Sequence, residues 1–299
     1  MKVSILMNGY NCEKYVSEAI DSIFSQTFSD WEIIFIDNSS TDNTSLIVKS
    51  YGDKLKYHKT SENVSLGKAR CIGLSLCNGE YVCFLDTDDI WFPSKLKDQL
   101  AIFKNSPEIK MVYTGVSFID EHGDSIGKYI PKAKSGNVFN QQLKRYEINM
   151  QSVMVKNDIE LKFDPLQCYS VDMGLFLWIS SRYMVGVIPE ILVKYRKHQT
   201  NLSHSCKEIE WKEQLNILNR IFDEVPSLKA DYLKGYRLAH ARVRYYKARY
   251  LISINNNKLA RRELYKYRFS SFFYFGLYFL VNTSIPLWNL IHRKLREFS

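Results

Sequence analysis

Residues 81–93 read YVCFLDTDDIWFP. Tyr81 to Leu85 form a short apolar run, and Asp86, Asp88 and Asp89 follow within four positions. Carboxylates this close repel one another unless something positive lies among them. Upstream, "WEIIFID" (31–37) is a continuous apolar run ending in Asp37, "KVSILM" (2–7) is a β-type run, and "LKYHK" (55–59) offers a third strand. Unbroken apolar runs are what strands covered on both faces require. Between them, Val16, Ala19, Ile20, Ile23 and Phe24 trace one helix face. "NSSTDNT" (38–44) offers caps to a helix running toward Tyr51, and "LGKARCIGLSLC" (66–77) is helix-like. This alternation predicts a parallel sheet flanked by helices, with ligands gathering at the carboxyl ends of its strands. Asn8 to Asn11, Asp37 and Asp86 to Asp89 each stand at such an end, so they are predicted to converge on one crevice.

Farther along, "MVYTGVSFID" (111–120) reads as another strand closed by the turn "EHGD". "QSVMV" (151–155) and "MVGVIP" (184–189) are shorter strand candidates around a helix-like "VDMGLFLWIS" (171–180). The second half therefore predicts a mixed sheet, and from about Glu208 the pattern turns helical, basic and strand-poor. With 45% apolar and 24% charged residues, the 299-residue chain is neither disordered nor fibrous. Its formal charge of +9 is lopsided: residues 194–299 hold 21 Lys and Arg against 8 Asp and Glu, leaving 20 against 24 before them. A basic tail on an acidic body means that the pI of about 9.1 says little about the crevice. The six cysteines show no C-x-x-C spacing and read as reduced thiols of a cytoplasmic protein. The N-terminus has too short an apolar run for a secretory signal.

An acidic cluster at a crevice mouth suits a hard divalent cation, Mg²⁺ or Mn²⁺, which takes oxygen ligands and keeps substrate phosphates in its shell. Asp86 and Asp88 would divide the work, one toward a sugar hydroxyl and one toward the metal. Asp89 is equally suited to cap the segment that follows, and the whole cluster reads as well as a solvated cap when taken alone.

Five segments in order decide between these readings. They are "SILMNGYNCEKYVSEAIDSIFSQTFSDWEIIFIDNSSTDNT", "ENVSLGKARCIGL", "NGEYVCFLDTDDIWFPSKL", "SVDMGLFLWIS" and "IPEILVKYRKHQTNLS". Together they resemble the family-2 glycosyltransferases, nucleotide-sugar-dependent enzymes of the GT-A fold, over residues 2 to 205. The resemblance implies a GT-A Rossmann-like mixed sheet over residues 1–205, and the helical pattern beyond it makes residues 206–299 a C-terminal extension. It implies donor contacts at Gly9, Tyr10, Asn11, Asp37, Arg70 and Asp86, a metal held by Asp88 and His198, and Asp172 as catalytic base. The reaction implied is inverting transfer from a nucleoside-diphosphate sugar, UDP first among them, to a hydroxyl of a glycan or lipid-linked acceptor. The chain departs from the family at Asn8–Gly9, where Pro-Thr is common, at Asn38–Ser39 after the second strand, and at Val171, where a second acidic residue is common.

Taken without the resemblance, several of these residues have plainer roles. Asp172 would cap the helix that follows, Arg70 would be a solvated helix residue, and His198 an exposed loop histidine beside Arg196 and Lys197. Trp178 reads as core, whereas Trp91, close to the carboxylates, would stack on a sugar ring. A non-catalytic nucleotide-sugar-binding module and a metal-dependent nucleotidyltransferase are the competing functions.

In the tail, Lys and Arg alternate with Tyr over 229–268, and "FFYFGLYFLV" (272–281) follows. That apolar run is shorter than the roughly 20 residues a bilayer crossing takes. Residues 269–291, flanked by bases, fit a segment lying on an anionic membrane, or else a helical cover packed on the rest of the chain. The acidic crevice and the lack of any binding module argue against nucleic acid as a partner.

Overall fold

The computed structural model describes residues 2–198 and 207–289. By contact density the chain divides into two units, one of residues 1–142 with 147–202 and one of residues 143–146 with 203–299. The first begins with β1 (Val3–Gly9), α1 (Val16–Phe24), β2 (Trp31–Asp37), α2 (Thr44–Lys49), β3 (Leu55–Lys59), α3 (Leu66–Ser75) and β4 (Tyr81–Phe84). It continues with β5 (Ile90–Trp91), α4 (Lys95–Asn105), β6 (Ile109–Ile119), β7 (Ser125–Tyr129), α5 (Phe139–Lys144), a 3₁₀ turn at Met150–Ser152, β8 (Met154–Lys156), α6 (Val171–Ser180) and β9 (Met184–Arg196).

The strands form one mixed sheet in the order β3-β2-β1-β4-β8-β6-β9-β5, with β7 paired to β6. β3, β2, β1 and β4 run parallel, so their carboxyl ends share one edge. β8 then pairs antiparallel to both β4 and β6, and β6 runs parallel to β9. The apolar runs are buried on both faces as expected: no residue of β2 is exposed. Val16, Ile20 and Ile23 of α1 are sealed under one face with Ile5, Met7 and Phe35. Each aliphatic side chain so buried contributes roughly 1.5–3 kcal/mol of transfer free energy. On the other face Leu6 packs directly on the backbone of α3, where a methyl group at Gly73 would lie 2.2 Å from Leu6 Cδ1.

Three local expectations are corrected. α4 starts at Lys95 after Ser94, so Asp89 is not its cap; the carboxyl is buried instead. Trp91 cannot stack on a sugar, because it is 2% exposed and its indole N–H donates to Gln151 O at 2.9 Å. The strand expected at 184–189 runs on to Arg196, which carries the Tyr-Arg-x-His segment along the sheet toward Asp89.

The second unit holds α7 (Lys207–Glu224), α8 (Ser227–Asp231), α9 (Leu233–Ser253), α10 (Asn257–Tyr265) and α11 (Phe272–Thr283). Its small core joins Ala248, Leu251 and Ile252 of α9 to Ala260 and Leu264 of α10 and to Leu277 and Val281 of α11. Among the described residues no helix is long and apolar enough to cross a membrane.

Candidate active site

The carboxyl ends of β1 and β2 meet in register, with Gly9 opposite Asp37. Gly9 has no room for a side chain: a Cβ there would lie 2.6 Å from Cys12 Sγ and 2.8 Å from Phe35 Cζ. The glycine thus lets the strand end pack closely. Tyr10 follows and is 53% exposed. Asn11 then takes a left-handed backbone (φ 49°), which its short amide tolerates better than most side chains. Its N–H donates to Ser40 Oγ at 3.0 Å and its Oδ1 accepts from Thr41 N–H at 2.8 Å. The loop after β1 is thereby tied to the loop after β2. Asp37 anchors the second loop: its carboxylate is fully buried and accepts from Ser40 N–H at 2.7 Å and from the Tyr57 hydroxyl.

Arg70 is not solvated. Its side chain is 6% exposed and one guanidinium nitrogen lies 3.3 Å from Asp86 Oδ1. The same charge acts on Asp172. Burial pushes the Asp172 carboxyl above its ordinary range, Arg70 pulls it back, and Asp86 adds to the rise. Asp172 is in the first turn of α6, after Ser170 in the cap position. The approach to α6 is docked on α3. Gly67 N–H donates to Gln167 O at 2.9 Å, Ser65 Oγ–H to Pro165 O, and a Cβ on Gly67 would meet Asp164 O at 2.0 Å. So α3 brings Arg70, and the segment packed against it brings Asp172, to the end of β4 where Asp86 stands.

Asp88 and His198 form a second pair, with Oδ2 and Nε2 2.9 Å apart and side chains 24% and 13% exposed. Burial raises the Asp88 carboxyl, the Asp86 charge raises it further, and His198 opposes both. Tyr15 packs its ring 5.5 Å from that of His198.

Arg196, quoted in the sequence only as a neighbour of His198, organises this end of the site. It is 2% exposed. Its N–H donates to Asp89 Oδ1 at 2.8 Å and its Nε to Asp88 O at 3.0 Å. Its remaining nitrogens reach Asp120 O, Glu121 O and the Glu18 carboxylate, and its guanidinium lies 4.5 Å from the Tyr15 ring centroid. This one side chain therefore fixes the backbone of the aspartate loop, the turn after β6 and the flank of α1. The Tyr-Arg-x-His string was the available signal, but its partners lie 75 to 178 residues away in the sequence. Asp89, fully buried beside two other carboxylates, is pushed well above the ordinary carboxylate range. It belongs to this scaffold and not to a solvated cap.

A divalent cation fits the Asp88–His198 pair. Ligand atoms in neighbouring corners of an octahedron with bonds of 2.0–2.1 Å stand about 3 Å apart; the Asp88 and His198 atoms, 2.9 Å apart and hydrogen-bonded to each other here, are compatible with that spacing. Among the described residues no group of three or more His, Cys, Asp or Glu side chains gathers in metal-binding geometry. Two protein ligands with the rest from phosphate and water is the usual arrangement for Mg²⁺ on nucleotide substrates.

Comparison with known proteins bears on the fold and the family. The Glycosyl transferase family 2 profile matches residues 4–154. An uncharacterized glycosyltransferase of Methanocaldococcus jannaschii is 31% identical over 240 residues, covering 74% of this chain and 83% of that protein. The UDP-Glc:alpha-D-GlcNAc-diphosphoundecaprenol beta-1,3-glucosyltransferase WfgD of Escherichia coli is 31% identical over 238 residues, covering 78% and 91%. Among solved structures, S. aureus TarS 1–349 in complex with UDP-GlcNAc superposes with a TM-score of 0.64 at 19% identity, over 82% of this chain and 81% of that one. The mannosyltransferase PcManGT of Pyrobaculum calidifontis, in complex with GDP-Man and Mn²⁺, superposes with a TM-score of 0.60 at 14% identity, over 99% and 79%. These structural matches show the fold, the mixed sheet with flanking helices expected of GT-A enzymes. The matched profile and the extent of the matched relatives lead to one conclusion: this chain belongs to glycosyl transferase family 2.

Proposed function

We propose that this glycosyltransferase moves a sugar from a nucleoside diphosphate, UDP by preference, to a hydroxyl of a glycan or lipid-linked acceptor, with inversion at the anomeric carbon. One observation carries the reading: Arg70 is shared by Asp86 and Asp172, on the edge where Asp88 meets His198. Residues 1–205 would form the catalytic part and 206–299 its extension. UDP is favoured because WfgD is named for UDP-Glc and the TarS structure contains UDP-GlcNAc.

Each residue then has a task. Tyr10, exposed at the end of β1, offers a ring face to the nucleoside, and Gly9 lets that strand end lie close. Asn11 and Asp37 hold the two loops that form the nucleoside wall, Asp37 from beneath as a buried carboxylate already bonded to Ser40 and Tyr57. Asp86 accepts from a donor hydroxyl while Arg70, 3.3 Å away, orients it. Asp88 and His198 would hold Mn²⁺ or Mg²⁺, which as a Lewis acid stabilises the charge of the departing diphosphate. Asp172 takes the acceptor proton. Its buried carboxyl is a stronger base than an ordinary aspartate, and the Arg70 charge opposes that rise.

The acceptor named for WfgD is a diphosphoundecaprenol-linked sugar, which supports a lipid-linked acceptor here and a reaction at the inner face of the cell membrane. Incubation with a panel of nucleotide-sugars, Mn²⁺ and a lipid-linked acceptor tests the proposal. Free nucleoside diphosphate and a glycosylated acceptor are expected. Release of pyrophosphate would mark a nucleotidyltransferase, and binding without turnover a binding module.

A further inference from the structure

We infer that the outer face of α11 docks on an anionic lipid bilayer, with its phenylalanines in the acyl boundary and the bases of α10 at the headgroups. The helix is two-sided. Leu277 and Val281 turn inward onto Ala248, Leu251, Ile252 and Leu264. Phe272, Phe275 and Phe279, spaced three and four apart, share the opposite face and are 97%, 45% and 60% exposed. Between them a Cβ added at Gly276 would meet nothing within 4 Å, so among the described residues no element covers the middle of the stripe. Phe269, 74% exposed, extends it by stacking on Phe275 with ring centroids 6.0 Å apart. A soluble surface scatters such side chains singly; this many in one stripe marks an interaction face.

Charge selects the occupant. Residues 254–289 contain five bases, Lys258, Arg261, Arg262, Lys266 and Arg268, and one acid, Glu263. Glu263 is already held by Arg244 at 2.7 Å and Lys247 at 2.6 Å. No carboxylate of this stretch is left to neutralise the others. Arg268 sits within the aromatic stripe, its guanidinium 3.6 Å from the Tyr265 ring centroid and 4.3 Å from that of Phe269. Arg261 donates to Val281 O at 3.0 Å, which puts its charge at the carboxyl end of α11. A second copy docked on this face would bring two cationic rims together. An anionic bilayer instead takes up both the rings and the charges, the combination that holds amphipathic helices in the interface.

The inference does not depend on the chemistry assigned to the crevice. Its test is cosedimentation of the full chain with phosphatidylglycerol-containing vesicles, with phosphatidylcholine vesicles and with neither. Light scattering of the same samples reports self-association. The native chain is expected to bind the anionic vesicles and to be released by salt. The triple variant Phe272→Ser, Phe275→Ser, Phe279→Ser is expected to lose about a hundredfold or more in vesicle affinity. Its circular dichroism is expected to stay native, since all three rings are exposed. Lys258→Glu with Arg262→Glu is expected to weaken binding and flatten its salt dependence. Equal binding to neutral vesicles, or unchanged binding by the triple variant, would overturn the inference. So would a native dimer that the triple variant dissociates.

Discussion

The crevice and the α10–α11 surface both concentrate charge, and they handle it in opposite ways. At the crevice the groups are buried or half-buried and matched: Asp86 with Arg70, Asp88 with His198, Asp89 with the Arg196 N–H. On α10 and in the turn before α11 the bases stay near the surface beside exposed rings, and the one acid of that stretch is consumed by α9. Buried charge must be paired or it neutralises itself, so its arrangement is rigid and reads as chemistry. Surface charge costs little, is screened by salt, and reads as attraction to a partner. The contrast also separates the experiments: crevice variants should change turnover or folding, and surface variants only attachment.

The largest effect is expected at Asp172. Asp172→Asn should retain donor affinity and lose turnover by about 10²–10⁴-fold, the worth of a positioned general base. Paired donor titrations and initial rates check this, and retained turnover would remove Asp172 from the mechanism. In the native enzyme the acid limb of the rate profile should reflect a carboxyl above the ordinary aspartate range, because only the ionised form accepts the proton.

Arg196→Met comes next. It strips the aspartate loop and the turn after β6 of their shared donor and leaves Glu18 without its partner. Glu18 is half-exposed, so the cost is that of the lost charge-assisted hydrogen bonds, about 1.5–3 kcal/mol, which denaturant unfolding would register as a fall in midpoint. A midpoint within error of the native chain would mean that Arg196 is not the clasp described.

The helical unit has its own buried titratable group. His240 is 4% exposed and faces Lys229, Arg244 and Lys266; burial, with those charges, lowers it to about 4. The neutral ring is the native form, so stability is complete above the unfolded value near 6.5 and falls as pH drops from there to about 4. That interval corresponds to roughly 3 kcal/mol at most. His240→Phe should flatten the acid side of the melting profile; an unchanged slope would show that the ring titrates freely.

The smallest effect is expected at Lys95, which is fully buried with no carboxylate among the described residues paired to it. Its ammonium has Gln99 Oε1 at 2.8 Å and the Trp91 ring centroid at 3.9 Å, and burial lowers it to about 8. Protonation therefore costs the native state, which should gain stability as pH rises from about 8 toward the unfolded value near 10.5. Lys95→Met removes that penalty and leaves the Gln99 oxygen unmatched, for a net gain of about 1–2 kcal/mol at pH 7. The gain should shrink by pH 9.5 in the same unfolding assay; a loss of stability at both pH values would contradict it.

The parallel half of the sheet was legible in the sequence: β2 is an unbroken apolar run buried throughout, β3 is a short and mostly exposed run, and 31–37 and 55–59 match the structure end to end. β5 and β7 were not. A two-residue strand has no period, and four of the five residues of β7 are exposed, so only their pairing with β9 and β6 defines them. Trp91 illustrates the same limit: nearness to the aspartates in sequence does not say on which side of the loop an indole falls. The acidic positions themselves were legible, since carboxylates at strand ends are conspicuous. Burial of Arg70 and the clasp of Arg196 depend on segments brought together only by folding.

The central claim is that Asp88 and His198 hold a divalent cation against the donor diphosphate. Calorimetric titration of UDP into the full chain, with and without Mn²⁺, for the native protein and for Asp88→Asn, tests it most directly. Binding that needs Mn²⁺ in the native chain and vanishes in the variant is the predicted result. Equal UDP affinity in both proteins, indifferent to Mn²⁺, would contradict it.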